Sequence, residues 1–200
     1  NSIPKEEIFD WHEYGYDHSL PLVRGIGPVY NEMPIRIKDR GVIDKYKERV
    51  RNSITVHARL GNGERDEKFP AAVPYFRMCV TQEQFILEMD KYSEDFFVCT
   101  DTFSFFNKCK DVFGDRVFSA RNNWSPEGCG AGHNIHAKKY SEEARRKWDA
   151  AGINSWDVFC EALIDMELLR GGKHIICNQS SFTIFARKFL PKTVLSCSKV

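Results

Sequence analysis

The stretch "SITVHARLGNGERDE", residues 53–67, begins as a buried strand and changes character within two residues. Ile54, Thr55 and Val56 are β-branched, and the segment from Ser53 to Ala58 is short and largely apolar, which is the pattern of a strand. Arg59 follows, then Gly61-Asn62-Gly63, then a run of charge. In open α/β sheets, ligands bind outside the carboxyl ends of the strands. A strand that delivers His57 and Arg59 into a glycine loop therefore marks a candidate site.

The rest of the chain extends this reading. "TQEQFILEMDKY" from Thr81 is a predicted helix with a capping box of Thr81 and Gln84. "DFFVCT", ending at Thr100, is a second strand. "DTFSFFNKCKDVFG" is a helix capped by Asp101 or Thr102 and closed by Gly114. "RVFSA" is a third strand. A polar, glycine-bearing stretch and the charged helix "SEEARRKWDAAG" follow within residues 121–154. "NSWDVFCEALIDMELLRGG" is a strong helix, "KHIICN" a fourth strand, "SSFTIFARKFL" a helix and "TVLSC" a fifth strand. Short, nearly continuous apolar strands alternating with helices predict α/β: a doubly wound parallel sheet covered on both faces.

Two hundred residues suit one ordinary domain, and the expected division is 1–50 and 51–200. Residues 1–50 are aromatic and proline-bearing without a sustained period, except for a short basic helix over 41–51. They read as a link to, or the remnant of, an upstream domain. The first residue is Asn1 rather than Met, which fits processing or a piece of a longer chain. A formal net charge of +1 argues against a nucleic-acid partner. No apolar run is long enough to span a membrane, so no membrane contact is expected from this segment. Seven cysteines lie scattered without a CxxC pair, so no clustered metal site is expected. Sequons at Asn123 and Asn178 leave the compartment open.

The residues just after the strands fit a nucleoside diphosphate. Arg59 offers a bidentate fork for phosphate oxygens. Ser180 and Ser181, after Asn178 and Gln179, open a helix whose N-terminus favours anions. Asp101 can accept from the paired N–H donors of a guanine edge, or simply cap its helix. Glu64, Asp66 and Glu67 place carboxylates where a general base is useful. In the long helix, Asp157, Glu161 and Asp165 recur every four residues, ordinarily a solvated face. Asp165 is surrounded by Leu163, Ile164, Met166 and Leu168, and is expected to brace a strand-end loop as structural support.

Three blocks carry a resemblance. "VHARLGNGE", "FFVCTD" and "ALIDMELL" followed by "HIICNQSSFTIFAR" resemble, in this order, motifs of the nodulation α-1,6-fucosyltransferases. Looser versions occur in the core α-1,6- and protein O-fucosyltransferases. The match covers residues 53–195. The resemblance implies the C-terminal, Rossmann-like donor half of a GT-B glycosyltransferase, transferring L-fucose from GDP-fucose to a glycan acceptor with inversion. It implies no essential metal and no cofactor other than the donor substrate.

Carried over residue by residue, Arg59 contacts the diphosphate and stabilises the leaving GDP, and His57 lies near the ribose. Asn62 shapes the donor loop, Asp101 reads guanine, and Ser180 with Ser181 binds phosphate. Glu64 or Glu67 deprotonates the acceptor, and His133 or His136 in "GAGHNIHAK" touches the donor. Leu60 departs from the family, which has a basic or polar residue directly after the arginine. The family's acceptor-binding half is absent from this stretch. The alternative is a non-catalytic GDP-sugar- or nucleotide-binding module lacking the acceptor half; under either reading the compartment stays open between cytoplasm, as in bacterial-type members, and Golgi lumen, as in eukaryotic-type ones.

Overall fold

The computed structural model describes residues 37–61, 80–129, 142–178, 183 and 190–195. In chain order these form α1 (Ile37–Arg51), β1 (Ile54–Ala58), α2 (Gln82–Met89), β2 (Phe96–Thr100), α3 (Phe103–Phe113), a 3-10 turn (Gly114–Arg116) and β3 (Val117–Phe118). Then come α4 (Glu142–Ala151), α5 (Ser155–Leu169), β4 (His174–Asn178) and β5 (Lys192–Leu195). The five strands make one sheet of order β3-β2-β1-β4-β5, and every pairing is parallel. The chain runs outward from β1 through β2 to β3, then returns to place β4 on the other side of β1. The sheet is thus doubly wound, and its topological switch point lies between β1 and β4.

Period-two alternation sends each strand's side chains to two separate cores. Ile54, Val56, Ala58, Phe96, Val98 and Ile176 pack against Phe85 and Met89 of α2 and Phe105, Cys109 and Phe113 of α3. Phe97, Cys99, Ile175 and Cys177 face the other way, against Val50 of α1 and Ile164, Leu168 and Leu169 of α5. Burial on both faces explains why these strands read as unbroken apolar runs. The helix α1, predicted from residue 41, starts at Ile37 and closes the second face, so the layer over the sheet begins before residue 51.

Local chemistry sets the element ends. Thr81 accepts from the Gln84 N–H while the Gln84 side chain accepts from the Thr81 N–H, completing the capping box of α2. Thr102 is the N-cap of α3, without a side-chain capping bond. Of the predicted third strand only Val117–Phe118 pairs. The helix predicted over 180–190 lies outside the described residues except at Thr183 and Leu190.

The turn from α5 into β4 is welded to the start of β1. Lys173 N–H donates to the Ser53 carbonyl at 3.0 Å, and the buried Thr55 hydroxyl is 3.1 Å from both the Leu169 and His174 carbonyls. Glycine is required at 172 by proximity: a Cβ there would stand 2.5 Å from Thr55 Cγ2 and 3.1 Å from the Ser53 carbonyl oxygen.

Gly172→Ala should therefore destabilise the fold by about 1–3 kcal/mol in urea unfolding. Gly41→Ala, in an exposed turn of α1 where a Cβ meets nothing within 4 Å, should instead stabilise by about 0.5–1 kcal/mol. Equal effects at both positions would rule out the close-approach explanation.

Candidate functional site

β1 is the central strand, so its exit lies at the middle of the carboxyl edge. Arg59 and Gly61 leave the sheet there, flanked by Asn178 at the end of β4 and Asp101 just beyond β2. Asn178 is fully buried. Its side-chain oxygen accepts from the Arg59 N–H at 3.0 Å, and its Nδ2 donates to the Arg59 carbonyl at 2.7 Å. The side chain thus mimics one further rung of backbone pairing and prolongs the β1–β4 contact past the last strand residue.

Asp101 fixes the other side. Its Oδ1 accepts from the Leu60 N–H at 2.9 Å and the Thr102 hydroxyl at 3.2 Å. Its Oδ2 accepts from the Gly61 N–H at 3.0 Å and from Arg59 Nη1 in an ion pair. A carboxylate has about four acceptor positions, and these donors fill them. In this arrangement Asp101 braces the Arg59 loop. Gly61 has φ +80°, a left-handed conformation that glycine adopts without strain. Thr100 completes the edge, donating to the Ala58 carbonyl at 2.8 Å and accepting from the Thr102 N–H at 3.1 Å.

Arg59 is about one-third exposed, with its side chain at 31 %. One guanidinium nitrogen is held by Asp101, and the other donors have no partner among the described residues. The result is a pre-aimed cation at the switch point. Leu60, the residue that departs from the fucosyltransferase motif, packs against the core under α2 and α3. The apolar side chain is thereby explained by packing rather than by the site.

His57 lies one turn of the pleat below Arg59, on the α5 face, with Cys99 and Cys177 as its neighbours in register. Burial lowers its pKa to about 3, against the opposing field of Asp101 and with help from Arg59 and Arg121. It is a neutral imidazole at physiological pH. Behind it, Asp165 of α5 is fully buried and forms an ion pair with Arg121, three residues past β3. Burial pushes the Asp165 carboxyl up, opposed by the Arg121 charge. Burial drives the Cys99 thiol pKa well up, and the neighbouring Asp165 charge adds to the shift, so it is not a nucleophile.

One turn earlier on α5, Glu161 accepts from the backbone N–H groups of Asn122 and Asn123 at 3.2 and 2.9 Å. It also accepts from Asn123 Nδ2 at 2.8 Å. The acidic stripe of α5 is thus turned at Glu161 and Asp165 toward the loop after β3, not toward solvent. Arg121 is a site-forming residue that sequence reasoning did not single out, and Glu161, read there as part of a solvated face, holds the loop after β3 instead. The available signal was the i, i+4 carboxylate spacing, which needs a basic or N–H-rich partner once one member is buried. The sequon at Asn178 falls on a fully buried side chain, which leaves no space for a glycan in this fold.

Of the predicted site residues, the structure brings together His57, Arg59 and Asp101, with Asp165 behind them. Asn62, Glu64, Glu67, Ser180, Ser181, His133 and His136 lie outside the described residues. Among the described residues there is no cluster of three or more His, Cys, Asp or Glu side chains able to hold a metal ion, and no helix is long and apolar enough to cross a membrane.

No protein-family model matches the chain, and no curated protein sequence does. Among solved structures it is similar to NodZ alpha-1,6-fucosyltransferase co-crystallised with GDP, at 22% identity and a TM-score of 0.45, over 78% of this chain and 42% of that one. The same enzyme soaked with GDP-fucose aligns at 22% identity and a TM-score of 0.43, over 78% and 43%. Selenomethionine fucosyltransferase NodZ from Bradyrhizobium aligns at 22% identity and 0.42, over 78% and 42%. The chain spans less than half the length of these structures.

Two measurements test this layout. Because the folded-state pKa of His57 is lowered, the unfolded chain takes up the proton first, and stability falls as pH drops from about 6.5 toward 3. The loss is at most about 1.4 kcal/mol per pH unit. His57→Gln should flatten the stability slope between about pH 6 and 5, above the carboxylate range; an unchanged slope would refute burial of the neutral ring. Asp165→Asn should cost about 3–5 kcal/mol by stranding Arg121, and Arg121→Met combined with Asp165→Leu should recover much of that.

Proposed function

We propose that this chain is the donor-binding part of an α-1,6-fucosyltransferase-like glycosyltransferase, binding GDP-fucose at the carboxyl edge of the sheet. The observation that carries the reading is the half-free Arg59 guanidinium, fixed by Asp101 at the switch point between β1 and β4. That position is where doubly wound sheets bind nucleotides. Arg59, Asp101 and Asn178, one from each of the three motif blocks that resemble the fucosyltransferases, meet there.

In this reading Arg59 binds the diphosphate through the donors that Asp101 does not use. Asn178 and Asp101 are positioning residues: they hold the backbone on both sides of Arg59 so that the cation needs no reorganisation when charge builds on the leaving group. His57, neutral and buried, adds no charge to compete with Arg59 and offers its ring near the ribose. Ser180, Ser181 and Asn62 complete the donor contacts.

The acceptor hydroxyl attacks C1 of fucose from the face opposite the phosphate. The new C–O bond forms as the bond from C1 to the β-phosphate oxygen breaks, and that electron pair leaves with GDP. The proton passes to a carboxylate, Glu64 or Glu67. In this reading charge neutralisation falls to Arg59, with Ser180 and Ser181 as further phosphate contacts, and the reaction needs no metal.

Calorimetric titration of the chain with GDP, GDP-fucose and ADP in EDTA is the direct test. Binding of GDP and GDP-fucose in preference to ADP is expected. Arg59→Ala should weaken GDP by about 10- to 100-fold, the worth of a charge-assisted contact to phosphate. Asp101→Asn should weaken it too, by releasing the loop, without relaxing the preference for guanine over adenine. Unchanged GDP affinity in Arg59→Ala would refute the phosphate role. Binding without transfer or hydrolysis of the donor would identify a GDP-sugar-binding module instead.

A further inference from the structure

Beside the Arg59 site, on the far side of Asp101, the carboxyl edge carries a second feature. Trp124, in the loop after β3, packs on the start of α3. Its ring centroid is 5.2 Å from Phe103 and 5.4 Å from Phe106, with tilts of 44° and 32°. Phe103 and Phe106 are near-parallel, 6.5 Å apart at 17°. The three rings make one aromatic cluster, of which Phe103 and Trp124 line a groove of about 460 Å³. Phe103 remains 46 % exposed although it is large and apolar. Around the rings stand Ser104, Asn107, Asn122 and Glu127. The side chains of Ser104, Asn107 and Asn122 have no hydrogen-bond partner among the described residues.

This loop is held more firmly than a surface turn requires. Glu161 takes the N–H groups of Asn122 and Asn123 and the Asn123 side chain, on the N-terminal side of Trp124. Arg121, anchored by the buried Asp165, places its guanidinium 5.7 Å from the indole centroid. Ser125, on the other side of Trp124, is buried. Trp124 is therefore presented in a fixed pose before any ligand arrives, which removes the ordering cost that weakens binding.

We propose that this groove binds a neutral pyranose ring of an oligosaccharide, stacked on Phe103 and Trp124. The proposal rests on the groove and not on the donor reading of Arg59. The two rings that line the groove, Phe103 and Trp124, are tilted 44° against one another and leave no parallel slot, so a flat base would gain one face only. A pyranose needs one face only: its axial C–H groups lie on the ring while its hydroxyls point outward. Those hydroxyls both donate and accept, as do the amides of Asn107 and Asn122 and the hydroxyl of Ser104. A proline-rich segment, the other common guest of aromatic grooves, offers carbonyl acceptors alone. An anion is disfavoured, because Arg121 is already neutralised by Asp165 and Glu127 adds negative charge.

The test is saturation-transfer NMR and calorimetry on the full chain with cellotetraose, maltotetraose and mannotetraose. At least one should bind with a dissociation constant of about 0.1–10 mM. Trp124→Ala and Phe103→Ala should each weaken it by about tenfold or more, as loss of a stacking ring does. Phe103→Tyr should retain binding, and Leu87→Ala, an exposed apolar residue elsewhere, should leave it unchanged. If Trp124→Ala does not fold, the exposed Phe103 carries the test. Arg59→Ala should lose GDP but keep the sugar, so failure of one site is read separately from failure of the other. Absence of binding by all three sugars at about 50 mM would overturn the proposal. So would affinities unaffected by the ring variants, or a proline-rich peptide that binds the same rings more tightly.

Discussion

Both oxygens of Asp101 are committed to the chain that leaves β1, and the geometry of the carboxyl edge follows from that commitment. Two backbone N–H groups, a hydroxyl and a guanidinium converge on one carboxylate. Bonds to a charged acceptor are each worth more than ordinary ones, about 1.5–3 kcal/mol. Their convergence fixes the path of residues 59–61 over a span that has no strand or helix of its own. From the other side, Asn178 grips both backbone groups of Arg59. The arginine is thus caught between β2 and β4, and the part of its fork that Asp101 does not use is aimed outward.

The sheet can support such an edge because its two cores make β1 rigid. β1 is buried along its full length, with Ile54, Val56 and Ala58 on one face and Thr55 and His57 on the other. Thr55 and His57 are polar groups in an apolar layer, and each has a structural reason. The Thr55 hydroxyl satisfies carbonyls at the α5–β4 turn. The His57 ring stays neutral under burial, so it costs no buried charge.

A second organiser works from α5. The helix supplies Ile164, Leu168 and Leu169 to the core, and from the same surface it extends Glu161 and Asp165 to the loop after β3. A buried ion pair is a weak source of net stability, since desolvation offsets attraction. Its use here is geometric: Arg121 and the two N–H groups that follow it are pinned, and Trp124 is pinned with them. The Arg59 loop and the Trp124 loop are therefore built alike. In each, a carboxylate on a rigid element gathers the N–H groups of a loop that leaves the sheet.

The sequence by itself determined the fold class, the order of the strands and helices, the capping box of α2, and the placement of polar residues at strand ends. These depend on period, β-branching and glycine, which are local. It also pointed to Asp165 as a buried carboxylate, because apolar neighbours at helical spacing leave such a residue nowhere to go. The tertiary structure decided what each strand-end residue holds. Asp101 reads as a free acceptor until Leu60, Gly61 and Arg59, some forty residues earlier, are brought to it. Asn178 reads as a sequon until its amide meets the Arg59 backbone. Arg121 gave no local signal, and the spacing of Glu161 on its helix did not say what it holds, because their partners lie about forty positions away on another element. Hydrogen-bond saturation is a property of neighbours in space, and in a parallel sheet every neighbouring strand is separated by a crossover.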